Sequence, residues 1–263
     1  MNLILLTLLF LAGCAKEPAP PPPSTPAVVQ EQQASDVQQA PSADAMVASF
    51  TKYQIAILQK GPAWTKDAPE KIEKLAAERG DYWKKMVEEG KLLGIARIVN
   101  PKDILGVIFF KVADKDEMKK IVSDAPAVKA KLITAGLRTV WGSKGLGAGS
   151  KENAGNMKAT EQGDTYYLAA MAKGPKWSDK ADSPETRKAT ADGMTYLYGL
   201  YKGGSMRWFA ALEDMSLKLR NVMILKVPTA EEAMKLMKES PSAKSRWHEP
   251  MVFEVKVPAG IIP

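Results

Sequence analysis

Apolar and polar positions alternate with two different periods in the first half of the chain. Period-2 or continuous apolar runs predict four strands, at Tyr53–Gln59, Leu92–Val99, Ile104–Val112 and Ile133–Val140. A stripe of apolar residues at 3.6-residue spacing predicts a helix from Pro69 to about Glu89, and Gly90 ends it. Asp114 and Glu117 suit the N-cap of a second, short helix. The predicted order is strand, helix, strand, strand, helix, strand.

The second half of the chain repeats this order. Strands are predicted at Tyr166–Ala172, Met206–Leu212, Leu219–Val227 and Met251–Val257, and helices at Pro184–Lys202 and Glu231–Lys238. Thr229 and Glu232 form a capping box before the last of these helices. The runs YQIAILQKGPAW and YYLAAMAKGPKW begin at Tyr53 and Tyr166, an offset of 166 − 53 = 113 residues. Self-similarity at this spacing indicates a tandem repeat.

Both halves therefore predict an α+β fold of two β-α-β-β-α-β units, each a ferredoxin-like split βαβ motif. Such a unit has an antiparallel sheet with its helices on one face, so the other face needs cover. We expect the two sheets to pack against each other. The predicted domains span residues 49–146 and 164–263, and the Gly- and Lys-containing stretch 147–163 is typical of a flexible linker.

The N-terminal residues have the pattern of an exported, lipid-anchored protein. Leu3–Leu11 is apolar but too short to span a bilayer as a helix. Leu11-Ala12-Gly13-Cys14 resembles a bacterial lipobox, which implies that residues 1–13 are a signal peptide and that Cys14 carries diacylglycerol. Residues 14–48 are rich in Pro, Ala and Gln and suit an extended, disordered spacer. The alternative interpretation is a chance cysteine after an apolar leader.

The resemblance also implies a location. Ala15 follows Cys14 where inner-membrane lipoproteins commonly have Asp. We therefore expect a bacterial envelope protein, anchored in the outer membrane through Cys14 and facing the periplasm.

Composition narrows the possible chemistry. The net charge is 37 − 30 = +7, but the basic residues are scattered among acidic ones, so nucleic-acid binding is not expected. Cys14 is the single cysteine, which excludes an intrachain disulfide, and His248 is the single histidine. So few soft ligands disfavour a zinc or copper site, and no metal or cofactor is predicted.

Several short motifs together resemble the YCII-related domain, a member of the dimeric α/β-barrel superfamily. In the first half they are Lys60-Gly61-Pro62-x-Trp64, Glu88-Glu89-Gly90-Lys91-Leu92, Leu105-Gly106-Val107, Asp124-Ala125-Pro126-Ala127-Val128-Lys129 and Trp141-Gly142-Ser143-Lys144-Gly145. In the second half they are Lys173-Gly174-Pro175-x-Trp177, Gly203 and Glu239-Ser240-Pro241. The resemblance implies that the two units pack sheet to sheet as a barrel within one chain.

The family's functional pair is a His on the first helix and an Asp before Pro. The His place falls on Arg79 in the first half and Asp192 in the second, and the Asp place on Asp124 and Glu239. Arg stays protonated and cannot act as a general base. The acid–base pair is thus missing from both halves, which favours a non-catalytic protein.

The candidate ligand-binding residues are Arg79, Asp124, Trp64, Asp192 and Glu239. Arg79 lies on the apolar stripe of its helix, where a guanidinium needs an anion or an ion-pair partner such as Asp124. Trp64 either lines a pocket or covers the core. Two functions stay open: a membrane-tethered module that binds a partner or a small ligand such as an anion, and an enzyme that acts on a small organic acid.

Overall fold

The computed structural model describes residues 47–78, 81–149, 160–177, 183–214 and 216–263. The signal peptide, Cys14 and Arg79 lie outside the described residues. The strands are β1 (Thr51–Lys60), β2 (Leu92–Ile98), β3 (Ile104–Phe110), β4 (Ile133–Gly142), β5 (Asp164–Lys173), β6 (Met206–Leu212), β7 (Leu219–Leu225) and β8 (His248–Val257). The helices are α1 (Ala68–Glu78), α2 (Asp81–Glu88), α3 (Lys115–Asp124), α4 (Pro126–Lys129), α5 (Pro184–Lys202), α6 (Ala230–Glu239) and α7 (Pro241–Lys244).

The eight strands form one closed antiparallel barrel in the order β1-β3-β2-β8-β5-β7-β6-β4. The first four strands pair as β4-β1-β3-β2, and the last four repeat this order as β8-β5-β7-β6. Two short seams join these halves: Arg97 and Ile98 pair with β8, and Val140–Gly142 pair with β6. The α+β class and the antiparallel packing agree with the sequence analysis.

The barrel interior is a single apolar core to which both halves contribute. The fully buried ring of Trp208 contacts Phe109 at 5.5 Å and Tyr53 at 5.9 Å between centroids, in edge-to-face geometry. Its Nε1–H donates to the carbonyl of Ser143 at 3.0 Å, so the indole's polar atom is satisfied inside the core. A first-half surface and a second-half surface therefore bury each other.

Helices cover the outside of the barrel, so many strand residues are buried on both faces. Along β5, Leu168 belongs to the barrel interior, whereas Tyr167 and Met171 pack in a separate cluster with Leu197 of α5 and Met237 of α6. This double burial explains why β5 has a continuous apolar run rather than strict alternation.

Three features differ from the sequence-based expectations. Where one helix is expected from Pro69 to Glu89, the described residues form two, α1 and α2. Strand β8 begins at His248 instead of Met251, because His248 pairs with Lys173 of β5. The described beginning of the expected linker is tied to the C-terminal segment, since Gly147 N–H donates to the carbonyl of Ile261 at 2.7 Å.

Candidate functional site

The first Lys-Gly-Pro-x-Trp motif forms a turn that clamps the end of β1 against the start of β4. Gly61 N–H donates to the carbonyl of Leu132 at 2.9 Å. A Cβ on Gly61 would lie 2.3 Å from the carbonyl oxygen of Lys131, so only glycine allows this approach. Trp64 is half-buried, and the Lys60 ammonium lies 5.6 Å from its ring centroid. The motif therefore has a structural role, and ligand binding by Trp64 stays a prediction.

The second motif forms the same turn at the junction of β5 and β8. Gly174 N–H donates to the carbonyl of Trp247 at 2.7 Å, and a Cβ on Gly174 would lie 2.4 Å from the carbonyl oxygen of Arg246. The Lys173 ammonium lies 5.4 Å from the ring centroid of Trp177. The repeated sequence motif thus produces a repeated backbone arrangement.

The second turn, unlike the first, carries a cluster of aromatic and basic side chains. The ring centroid of Trp177 is 5.3 Å from that of His248 and 6.3 Å from that of Trp247, and the Arg220 guanidinium lies 5.6 Å from the Trp177 ring. Burial, with a smaller contribution from the charge of Arg220, lowers the pKa of His248 to about 4. His248 is therefore neutral at neutral pH.

Two of the candidate carboxylates lie on the surface beside lysines. Asp124, at the end of α3, is half-exposed and 2.9 Å from the Lys129 ammonium, which lowers its pKa through a hydrogen bond and through charge. Asp192, in α5, lies 2.8 Å from the ammonium of Lys188. These contacts favour the interpretation of both residues as solvated, ion-paired acids. Because Arg79 lies outside the described residues, its ion pair with Asp124 stays a prediction.

Glu239 lies in a cavity of about 570 Å³ between α6 and β8. We call this cavity the Glu239 groove. Its lining residues are Ala230, Glu231, Met234, Lys235, Lys238, Glu239 and Val252. Six of the seven come from one face of α6, because positions three and four apart lie together on a helix. The groove therefore combines apolar side chains with two lysines and two glutamates.

A second cavity, of about 440 Å³, lies beside the first Lys-Gly-Pro-x-Trp turn. It is lined by Ala63, Lys71, Lys74, Leu75, Ala130 and Leu132. Lys71 is paired with Asp67 at 2.8 Å, so part of its charge is neutralised. Asp192 lines neither this cavity nor the Glu239 groove.

The sequence analysis identified Glu239 but missed its neighbours in the groove. Met234 was placed only within a predicted helix, whereas it is partly exposed on the groove wall. Val252 was placed only within a predicted strand. A usable signal was present: Glu231, Lys235 and Glu239 alternate in charge at i, i+4 spacing on the same face of α6 as Met234.

The described ranges contain no group of three or more His, Cys, Asp or Glu side chains that could hold a metal ion. Over the same part of the chain, no helix is both long and apolar enough to cross a membrane.

Comparisons with known proteins show the fold of this chain. No family model matches it, and no curated protein matches it. Among solved structures it is similar to a mutant chlorite dismutase from Candidatus Nitrospira defluvii, with 12% identity, a TM-score of 0.50, and coverage of 82% of this chain and 95% of that one. A heme-binding protein from Thermus thermophilus is 15% identical, with a TM-score of 0.44 and coverage of 80% and 91%.

The chlorite dismutase is a protein of the dimeric α/β-barrel type. At these identities the likeness extends to the fold alone. The chain therefore has the dimeric α/β-barrel fold, as the sequence resemblance implied.

Proposed function

We propose that this protein is an outer-membrane lipoprotein that holds two YCII-like domains in the periplasm through Cys14 and binds a small ligand there without converting it. The equivalent strand orders of the two halves support an interpretation as two ferredoxin-like repeats, since each has the order 4-1-3-2 expected of a split βαβ unit. The lipobox and the Pro-rich stretch behind it support the tether.

The Glu239 groove carries the ligand-binding part of this proposal. The apolar surface of the groove comes from Ala230, Met234 and Val252. Two cationic side chains, Lys235 and Lys238, also line the groove. Concave, mostly apolar sites with a few polar groups at fixed positions are the usual form of small-molecule sites. The groove therefore suits a small molecule with an apolar body and an anionic group.

The environment of His248 supports binding without catalysis. A general base works best with a pKa near the operating pH. His248 has a pKa of about 4 and is largely enclosed by Trp177 and Arg220, so it is a weak base that substrate does not reach easily. The carboxylates Asp124 and Asp192 are each ion-paired with a lysine, and the hydrogen bond and charge of Lys129 lower the pKa of Asp124, which makes Asp124 unsuited to donate a proton.

The heme named for one structural neighbour does not fit the imidazole of this chain. A metal-binding His usually donates its second ring N–H to a partner that orients it. The enclosed Nδ1 of His248 has no hydrogen-bond partner in the described part of the chain, and His248 lines neither cavity. We therefore propose no heme cofactor for this protein.

A thermal-shift screen of the full chain against a metabolite library tests the binding proposal. A ligand of the native state at 100 times its dissociation constant adds about 2.7 kcal/mol to the free energy of unfolding. Met234→Trp fills the groove, and Lys119→Trp places the same ring at the equivalent exposed position of α3. We expect a hit to lose its stabilising effect in Met234→Trp and to keep it in Lys119→Trp.

Two outcomes would contradict this proposal. Stabilisation that survives Met234→Trp would place the ligand outside the Glu239 groove. Consumption of the hit compound, followed by one-dimensional NMR of the mixture, would favour the alternative, an enzyme that acts on a small organic acid with Arg79 as its carboxylate anchor.

The tether is tested separately. Cys14→Ala removes the sulfur that would carry the lipid, so we expect the variant to move from the membrane fraction to the soluble fraction of the cell envelope. Membrane association that persists in Cys14→Ala would overturn the lipoprotein proposal.

A further inference from the structure

Arg138 places a cation on the inner face of the barrel. In the β1–β4 register Arg138 lies opposite Ile55, and directly opposed residues of an antiparallel pair point to the same face. Ile55 is fully buried in the shared core. Val140, two residues after Arg138 and therefore on the same face, is also fully buried in that core.

The guanidinium of Arg138 lies over Gly136, two residues earlier in β4. Its Nη1 donates to the carbonyl of Leu137 at 2.8 Å. A Cβ on Gly136 would lie 3.5 Å from Nη2, so the missing side chain of Gly136 leaves room on this face of β4.

One edge of this guanidinium has no hydrogen-bond partner among the residues that the structure describes. Its Nε is buried without a hydrogen-bond partner, and no described carboxylate forms an ion pair with Arg138. Asp214 is near enough for the charge of Arg138 to contribute to lowering its pKa, but its Oδ1 accepts from Ser216 N–H at 2.9 Å and Ser216 Oγ–H at 2.6 Å. A buried, unpartnered donor on a charged group is costly unless a ligand satisfies it.

The hydrogen-bonded pairing of β4 with β6 ends next to Arg138. Pairing between β4 and β6 runs from Gly142 to Val140, and one more hydrogen bond joins Glu213 N–H to the carbonyl of Thr139. Arg138 is the next residue of β4, at the point where the chain after β6 leaves the seam. Leu217, in the loop that follows, is partly exposed and packs on the same core.

The equivalent place at the other seam carries no charge. Val99 N–H donates to the carbonyl of Glu254 where the β2–β8 pairing ends, and the next residue of β8 is Phe253. Phe253 lies opposite Leu168 in β5 as Arg138 lies opposite Ile55 in β1. The barrel can therefore be built with an apolar residue here, and its architecture does not require the arginine.

We propose that Arg138 forms a second ligand site, at the β4–β6 seam, which binds the carboxylate of a small monocarboxylic acid through the Nε and Nη2 edge of the guanidinium. The planar fork of Arg matches the two oxygens of a carboxylate. Ile57, which lies opposite Gly136 in the β1–β4 register, and Leu217 are partly exposed apolar residues packed on the same core, so we expect the rest of the ligand to be short and apolar. This site is independent of the Glu239 groove and of the lipid tether.

Side-chain NMR of the ¹⁵N-labelled full-length chain tests this site with butyrate as the probe. We expect the Arg138 Nε–Hε resonance to move and to saturate with butyrate but not with butyramide, which has the same shape without the charge. Arg138→Phe introduces the residue found at the equivalent place of the other seam. Loss of one Nε–Hε signal in this variant assigns that signal to Arg138. The variant should also weaken butyrate binding by at least about tenfold, the loss expected for a charge-assisted hydrogen bond. Arg138→Lys keeps the charge without the fork and should bind with intermediate affinity.

The controls separate this proposal from general electrostatics and from the groove. Arg97→Gln removes an exposed arginine that pairs with Glu161 and should leave butyrate binding unchanged. Met234→Trp should also leave the Arg138 response intact, so a failure of the groove proposal does not affect this one. An equal response to butyramide, unchanged butyrate binding in Arg138→Phe, or no saturable shift of the Arg138 resonance would each overturn the proposal.

Discussion

The two halves of the barrel share their backbone arrangement but differ in side chains at equivalent positions. Each half joins its first strand to its last strand through a Lys-Gly-Pro-x-Trp turn that leaves no space for a side chain at Gly61 or Gly174. Beside the second turn lie Trp247 and His248, where the first half has the apolar residues Leu132 and Ile133. The glycines that both halves share therefore have a structural role, since they allow the close backbone contacts of the two turns.

The differing positions include the residues that we propose bind ligands. The seam residue is Arg138 in one half and Phe253 in the other, and the groove residue Met234 of α6 corresponds to the exposed Lys119 of α3. Because the barrel closes with Phe253 at one of these equivalent places, it does not need an arginine at the other. Arg138 is therefore a candidate for a role other than folding. Comparing the two halves of the barrel thus separates structural residues from candidate binding residues.

The shared turns are expected to show the largest and most nearly equal effects. Gly61→Ala and Gly174→Ala each drive a Cβ against a backbone carbonyl, and we expect each to lower the free energy of unfolding by about 2–4 kcal/mol. Urea denaturation measures both. Gly199→Ala is the matched control, because nothing lies within 4 Å of a Cβ at this helical position and it should stabilise by about 0.5–1 kcal/mol. A large effect in only one half would break the equivalence of the turns.

His248 gives the second half a pH dependence that the first half lacks. Its folded-state pKa of about 4 lies below its ordinary value of 6.5, so between these pH values the unfolded chain binds a proton that the folded chain does not. The contribution of His248 is fully present above pH 6.5 and is lost, by up to about 3 kcal/mol, as the pH falls towards 4.

His248→Ile, which copies Ile133, should remove this dependence. The difference in urea-unfolding free energy between wild type and His248→Ile, measured from pH 7 to pH 4, separates the contribution of His248 from that of the Asp and Glu side chains, which both proteins share. A difference that does not change with pH would mean that the imidazole is protonated as easily in the folded protein as in the unfolded one.

The helix caps are expected to show the smallest effects, again matched between halves. Asp114 accepts from Glu117 N–H at 2.8 Å, and Thr229 accepts from Glu232 N–H at 3.1 Å. Asp114→Ala and Thr229→Ala should each cost about 1 kcal/mol by thermal or urea unfolding. Costs that differ by more than twofold would show that the two helices depend on their caps to different degrees.

Local signals in the sequence were sufficient to predict most elements. Helix α5 and strand β6 have the predicted bounds, Pro184–Lys202 and Met206–Leu212, because each has a clear period and a glycine boundary. The capping residue Thr229 was identified from its spacing to Glu232. These features depend on residues close together in the chain, which is why the pattern reveals them.

Long-range features were harder to predict. The barrel is closed by short seams between strands far apart in sequence, and no local period encodes them. Arg138 was overlooked although strict alternation with Val140 places it on the buried face of β4. Its importance becomes clear only when the interior is known to be shared by both halves. The early start of β8 was hidden because Glu249-Pro250 has the composition of a turn.

We propose that the second half binds a ligand in the Glu239 groove and that the matched surface of the first half does not. Backbone amide NMR of the full chain, titrated with a compound from the metabolite screen, tests it directly. We predict that the shifted resonances concentrate on Ala230–Glu239 and Val252. Shifts concentrated instead on Lys115–Asp124 and Leu137, the corresponding surface of the first half, would contradict the account.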